Sequence, residues 1–244
     1  MKEQKEYTEG ISVSESKFLT WLDNYWYHYK WVTLVAAFFL IVAIVCIAQS
    51  CSKTPSDVKI TYAGPVSLTG EQELAIQSAV SRELPDSFSD KSKAQVEILN
   101  YYILSKEQIE KAQKETDASG YKVYIDTYFI SSEQDTFESQ LMTGTSNVLL
   151  LDPSIFESLG GMAESERLMP LDQILGETPD GSVSRFGIRL GDTELYKNNP
   201  QLKVLPADTI LCLHVKILNQ KQKYYDKDVE AFKALAVIAS EVEE

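Results

Sequence analysis

The residues best suited to nucleophilic chemistry in this chain are Cys212 and His214. They stand two positions apart in an apolar run, so a strand would place both side chains on one face. A thiol becomes a nucleophile when a neighbouring base takes its proton. The run 209–218 (TILCLHVKIL) is typical of a core strand, however, and a strand interior is a poor place for a substrate. We therefore predict no catalytic residues, and an enzyme built on this pair remains an alternative.

Other reaction chemistries find little support in the residue types. Three cysteines and two histidines, none closely paired with another good ligand, predict no metal site, and we expect no cofactor. The stretch 64–70 (GPVSLTG) lacks the Lys-Ser/Thr that follows a phosphate-binding loop. Acidic pairs such as Asp192 and Glu194 are expected on a solvated surface in a chain of net charge −13. That charge also argues against a nucleic-acid partner, because neutralising phosphates requires a basic face.

Four residues are candidates for ligand binding, and they lie in two loops. Ser67 and Thr69 follow one predicted strand, and Asp152 and Ser154 follow another. Open α/β sheets bind ligands at the carboxyl ends of their strands, so both loops would lie at the favourable edge. The competing interpretation, which we favour for Thr69 and Asp152, is that each caps the helix that follows it.

The elements that would position these residues alternate between strands and helices. Apolar and β-branched runs predict strands at 58–63, 94–104, 122–130, 147–151 and 209–218. Capping boxes at 69–72, 105–108 and 131–134 each predict the start of a helix. Asp152-Pro153 predicts another, and an amphipathic pattern predicts a closing helix over 228–242. The alternation predicts an α/β domain with a mixed, largely parallel sheet and helices on both faces.

One segment of the chain is suited to a lipid environment. Residues 31–48 (WVTLVAAFFLIVAIVCIA) form an uncharged run of 18 residues, near the minimum for crossing about 30 Å of hydrocarbon. We predict a transmembrane helix here. A cleaved signal peptide would need a short basic leader, whereas 30 residues of mixed charge precede the run. A lipoprotein acylated at Cys51 is a second alternative, although Gln49 fits the preceding cleavage box poorly.

Aromatic residues precede the predicted span at helical spacing. They predict an interfacial helix over 16–30 that lies on the membrane, because Trp and Tyr prefer the headgroup layer. The alternative is that these rings pack on the membrane helix of a partner protein. The predicted membrane-interface residues are Trp21, Tyr25, Trp26, Tyr29 and Trp31.

The chain is thus divided into four parts. Residues 1–30 form a tail and the interfacial helix, 31–48 the span, 49–57 a polar linker, and 58–244 the α/β domain. Lysines flank the span equally, so charge does not set its orientation.

The stretch 137–175 resembles the N-terminal lobe of the extracellular solute-binding proteins of ABC importers. The resemblance rests on a helix leading into an apolar strand, on 168–172 (LMPLD), and on 187–190 (GIRL), where Arg189 replaces a proline. The aromatic segment followed by a span is also similar to membrane proteins of Gram-positive bacteria. The resemblance implies a periplasmic-binding-protein-like lobe on the extracytoplasmic side of the cell membrane. Such proteins bind ligand between two lobes, and this chain has room for about one.

We therefore expect a single-pass membrane protein whose extracytoplasmic lobe acts as a binding, interaction or sensor module. Its expected partners are membrane lipid and either another protein or a small solute. A ligand receptor for an ABC importer, with two lobes assembled by dimerisation, is the first alternative. An enzyme of unknown type is the second.

Overall fold

A computed structural model describes residues 17–52, 56–85, 88, 93–116 and 121–239. The chain divides into two compact units, 1–54 and 55–244. In the first unit a single helix, α1 (Lys17–Ser52), runs without a break through the predicted boundary at residue 30. Within it, Asn24–Ala48 is a stretch of 25 residues that is long and apolar enough to cross a membrane, a property that signal sequences share. The helix also continues into the predicted linker.

The five predicted interface residues all lie on α1 with exposed side chains. The rings of Trp21 and Tyr25 stack at 5.6 Å between centroids, and those of Tyr25 and Tyr29 at 5.3 Å. This aromatic row is therefore part of the same helix as the apolar stretch and is not a separate element.

The second unit is an α/β domain built around five strands. They are β1 (Val58–Gly64), β2 (Val96–Tyr102), β3 (Val148–Leu151), β4 (Gly187–Arg189) and β5 (Ile210–Leu213). The helices are α2 (Gly70–Glu83), α3 (Lys106–Lys114), α4 (Thr127–Thr143), α5 (Pro153–Ser158), α6 (Leu171–Leu175), α7 (Glu194–Asn198) and α8 (Gln222–Leu235). Two short 3-10 helices lie at Leu190–Asp192 and Pro200–Val204.

The sheet is mixed, with strand order β2-β1-β3-β5-β4. Strand β1 pairs in parallel with β2 and β3, whereas β5 runs antiparallel to both of its neighbours. Alternate residues of the central strands enter two apolar clusters, which lie on opposite faces of the sheet. Helices α2, α6 and α8 cover one face, and α4 and α5 cover the other. The predicted mixed α/β sheet with helices on both faces is confirmed.

The predicted strand over 122–130 is wrong. Only Lys122 makes an isolated bridge, to Thr116, and α4 begins at Thr127. Asp126 caps this helix by accepting a hydrogen bond from the backbone N–H of Phe129 at 3.0 Å. The capping box predicted at 131–134 is also wrong, because those residues lie inside α4. The cap and the buried face of Ile130, Phe137 and Leu141 outweigh the β propensity of the aromatic residues.

The closing helix is also displaced from its prediction. Helix α8 runs over Gln222–Leu235, so it begins six residues before the predicted start at Asp228. Its buried face includes Tyr225 and Asp228 beside Phe232 and Leu235. A pattern search that follows apolar residues misses the first turns, because they are polar apart from two tyrosines. The prediction also extends the helix too far, because α8 ends at Leu235 and residues 236–239 are not helical; residues 240–242 lie outside the described residues.

Candidate functional site

At the carboxyl edge of the parallel strands, the connections from successive strands lead in opposite directions across the sheet. From β1 the chain passes through α2 to β2 on one side, and from β2 it returns through α3 and α4 to β3 on the other. Because α2, which follows β1, and α5, which follows β3, cover opposite faces, the loops after β1 and β3 diverge at this edge. Doubly wound sheets bind ligands at such a reversal.

Asp152, the first residue after β3, is fully engaged in holding this edge together. Its backbone N–H donates to the carbonyl of Ala63 at 2.9 Å. Its Oδ1 accepts from the N–H of Ser154 at 2.9 Å and from the hydroxyl of Ser154 at 2.5 Å. Its Oδ2 accepts from Nε2 of Gln108 at 3.0 Å. The predicted capping role of Asp152 is therefore confirmed.

Gln108 connects the starts of two helices, α3 and α5, at the same edge. Its Oε1 accepts from the backbone N–H of Ser105 at 2.7 Å, and its own N–H donates to the Ser105 hydroxyl at 3.1 Å. These bonds form the predicted capping box of α3. The additional bond from Nε2 to Asp152 links the start of α3 to the start of α5. The sequence identifies Gln108 as a cap, but not this second bond.

The other two predicted ligand residues lie apart from Asp152 and Ser154. Thr69 caps α2, with its hydroxyl accepting from the N–H of Gln72 at 3.4 Å and its N–H donating to Oε1 of Gln72 at 2.8 Å. Ser67 is exposed. Neither residue lines the cleft or the adjoining hollow described below, whereas Ser154 lines both and Asp152 lines the hollow.

A cleft of about 390 Å³ opens at this edge between the end of β2, α4 and α5. Its apolar surface comes from Ile103, Leu104, Phe137, Ile155 and Leu159. Its polar surface comes from Ser105, Lys106, Gln134, Glu138, Ser154, Ser158 and Arg167. The charged side chains are thus two cations and one carboxylate, around an apolar floor.

A second hollow of about 340 Å³ adjoins the cleft and shares Ser105 and Ser154 with it. This hollow contains Asp152 and Asp208, together with Lys111. Behind it lies the buried Tyr62, whose hydroxyl accepts from the N–H of Val66 at 3.3 Å. Burial raises the pKa of Tyr62 above its ordinary value, and the nearby carboxylates of Asp152 and Asp208 raise it further. The adjoining hollow is therefore the more acidic part of the edge.

Cys212 and His214 are poorly placed for catalysis. Cys212 is fully buried, and burial raises the pKa of its thiol, so the thiolate that would act as nucleophile is disfavoured. His214 holds the carbonyl of Val215 at 2.8 Å through Nδ1, and burial lowers the pKa of its imidazole. Both side chains are buried in the fold, which favours a structural role for each of them. Among the described residues, no group of three or more His, Cys, Asp or Glu could hold a metal ion.

Reasoning from the sequence missed the charged residues of the cleft. Lys106 directly follows the predicted cap Ser105, and nothing else in the sequence marks it as a binding residue. Arg167 lies in an irregular segment after α5, and only the fold brings it to α4.

Comparison of the chain with protein-family models, with curated proteins and with solved structures gives no match in any of the three.

Proposed function

We propose that this protein is a single-pass membrane protein whose α/β domain is displayed outside the cell and binds a small solute. The observation that carries the proposal is the cleft of about 390 Å³ at the carboxyl edge. Ligand pockets typically measure about 300–1,000 Å³ and combine apolar walls with a few convergent polar groups. The cleft meets both conditions and lies at the carboxyl ends of β2 and β3, the edge at which α/β sheets bind ligands.

The side chains of the cleft favour a carboxylate-bearing solute with an apolar body. Lys106 and Arg167 outnumber the single carboxylate of Glu138. A guanidinium group binds a carboxylate through two parallel hydrogen bonds, and a lysine adds a point charge. The rings and methyl groups of Phe137 and Leu159 would contact the rest of the solute.

The membrane assignment and the direction of display have separate support. The apolar stretch Asn24–Ala48 supports an anchor in the lipid bilayer, and the exposed row of Trp and Tyr residues supports contact with the headgroup layer. Display outside the cell is supported by the resemblance of 137–175 to solute-binding lobes. We propose binding without catalysis, because the candidate nucleophile Cys212 is buried.

The test is thermal unfolding of the full chain in detergent against carboxylates, amino acids, sugars and amines. A solute present at 100 times its Kd adds about 2.7 kcal/mol, which raises the Tm of a domain of this size by about 5–10 °C. We expect such a shift for a carboxylate with an aliphatic or aromatic body.

The double variant Lys106→Gln with Arg167→Gln should lose that shift. Lys197→Gln, which removes an exposed lysine on α7, should retain it. A panel without any shift, or a carboxylate shift that survives in the double variant, would contradict the proposal.

A further inference from the structure

A buried carboxylate without a cationic partner lies at the opposite, amino edge of the sheet. Asp228 on α8 is only 8% exposed. Its Oδ2 accepts from Nδ2 of Asn147, the residue before β3, at 2.6 Å. Its Oδ1 accepts no hydrogen bond from the described residues, among which no ion pair to Asp228 is present. Burying an unpaired charge is costly, so this arrangement calls for a partner.

Asp228 lines a cavity of about 350 Å³, which is separate from the cleft at the carboxyl edge. The start of β1 forms one wall through Val58 and Lys59, and the turn after α4 contributes Gly144. Tyr224 and Lys221 line the cavity from the side of α8. The cavity therefore opens directly in front of the unpaired carboxylate.

Two buried amide oxygens near Asp228 have no hydrogen-bond partner among the described residues. Gln220 also lines the cavity, and its Oε1 is buried without a hydrogen-bond partner. The Oδ1 of Asn147 is likewise buried without a partner. Both amide nitrogens are already in use, because Gln220 donates to the carbonyl of Gly144 at 3.4 Å and Asn147 donates to Asp228. A ligand that satisfies Asp228 Oδ1 and Gln220 Oε1 must bring donors.

Most other charges near Asp228 are paired with one another. Lys59 pairs with Glu97 at 3.0 Å, and Lys227 pairs with Asp57 at 3.2 Å. Helices α2 and α6 also pack on α8, and their buried side chains are apolar. Near β5, the hydroxyl of Tyr225 on α8 donates a hydrogen bond to the carbonyl of His214. The titratable groups around Asp228 are Asp57, Lys59, Lys221, Tyr224, Tyr225 and Lys227.

We infer that this amino-edge cavity binds the primary ammonium group of a small organic amine, with Asp228 as its counter-ion. An ammonium group carries three N–H donors, and two residues that line the cavity each offer an unpartnered acceptor, Asp228 Oδ1 and Gln220 Oε1. Among the described residues no group of three or more His, Cys, Asp or Glu could hold a metal ion, so an organic ammonium fits this cavity better than a divalent cation does. The half-exposed ring of Tyr224 offers an aromatic face to the alkyl part or to the cation.

The experiment is isothermal titration calorimetry of the full chain in detergent with n-butylammonium chloride. Tetramethylammonium chloride has the same charge but no N–H donors, and it serves as the control. We expect binding of butylammonium at pH 7.5 and none of tetramethylammonium. Burial raises the pKa of Asp228 to about 6. Protonation of this carboxyl at pH 5.0 should therefore weaken butylammonium binding by about tenfold.

Two variants on the same helix locate the binding. Asp228→Asn should abolish binding of butylammonium, whereas Asp226→Asn, which removes an exposed carboxylate of α8, should leave the Kd unchanged. Lys221→Gln removes the cation on the cavity wall and should tighten binding.

The comparison of butylammonium binding at pH 7.5 and pH 5.0 uses the wild-type chain alone, so it tests the inference even if Asp228→Asn fails to fold. Absence of butylammonium binding, equal binding of tetramethylammonium, or a Kd indifferent to both pH and Asp228→Asn would overturn the inference.

Discussion

Asp152 and Asp228 are both buried carboxylates, but their hydrogen bonds differ in number. Asp152 accepts from the N–H and hydroxyl of Ser154 and from Gln108. Asp228 accepts only from Asn147. Water lost from a buried carboxylate has to be replaced by donors, and Asp228 has few. Asp152 is therefore a structural cap, whereas Asp228 reduces stability at neutral pH unless a ligand compensates it.

This difference predicts how stability depends on pH. The pKa of Asp228 is raised from 3.8 to about 6 by burial, so the native state favours the protonated carboxyl. The contribution of the protonated Asp228 carboxyl to the free energy of unfolding is fully present below pH 4 and is lost as pH rises through 6. In Asp228→Asn, this loss should disappear, and the free energy of unfolding at pH 7.5 should rise by up to about 3 kcal/mol. Urea unfolding of the full chain in detergent between pH 4 and 8 measures both effects.

Asp226→Asn serves as the control for the same change in net charge. It should leave the pH dependence of the wild type intact, because Asp226 is exposed. Parallel stability curves for the wild type and Asp228→Asn would show that this carboxyl is not destabilising.

At the scale of elements, most of the predicted caps are confirmed, but the box predicted at 131–134 lies inside α4. The boxes at Thr69 and Ser105 and the cap at Asp152 were predicted at the correct residues, because a cap depends on side chains within three positions. The aromatic and β-branched residues of 122–130 are typical of a strand, but α4 begins at Thr127. Whether the end of this segment is helical depends on Phe137 and Leu141, which lie beyond it and pack α4 against the sheet.

The candidate site was predictable only in part for the same reason. Asp152 and Ser154 lie next to the strand that positions them, so the sequence places both at the carboxyl edge. The charges that define the cleft come from three different segments, represented by Lys106, Glu138 and Arg167. Their proximity depends on how α3, α4 and the segment after α5 meet, and spacing along the chain does not encode that.

Helix α3 provides a test of the hydrogen-bond link made by Gln108. None of its residues is buried, so its cap contributes a large share of what holds it in place. Gln108→Ala removes the two side-chain bonds, from the backbone N–H of Ser105 and to Asp152, and should cost about 1–2 kcal/mol. We expect faster amide hydrogen exchange over 106–114, measured by mass spectrometry.

Gln72→Ala is the matched control, since it removes the same box residue from α2. That helix also buries Ile76, Ala79 and Val80, so its amides should remain protected. Equal protection of α3 in Gln108→Ala and in the wild type would contradict the role assigned to Gln108.

At the scale of the molecule, the chain joins an apolar helix to a compact α/β domain. Helix α1 has 36 residues and is therefore about 54 Å long. That length exceeds the hydrocarbon core of about 30 Å, so the aromatic row and the polar end would lie outside the core if α1 crosses a membrane. Hydropathy predicted the existence of this helix, but equal flanking lysines left its direction open.

The central claim, that the α/β domain is displayed outside the cell, is tested most directly by labelling intact cells with a membrane-impermeant maleimide. The reporter is Leu218→Cys, because Leu218 is 99% exposed. Cys51→Ser in the same chain removes the thiol next to the span, while Cys212 is buried and Cys46 lies within the apolar stretch. We predict that intact and disrupted cells label to the same extent. Labelling that appears only after the cells are disrupted would place the domain in the cytoplasm and contradict the account.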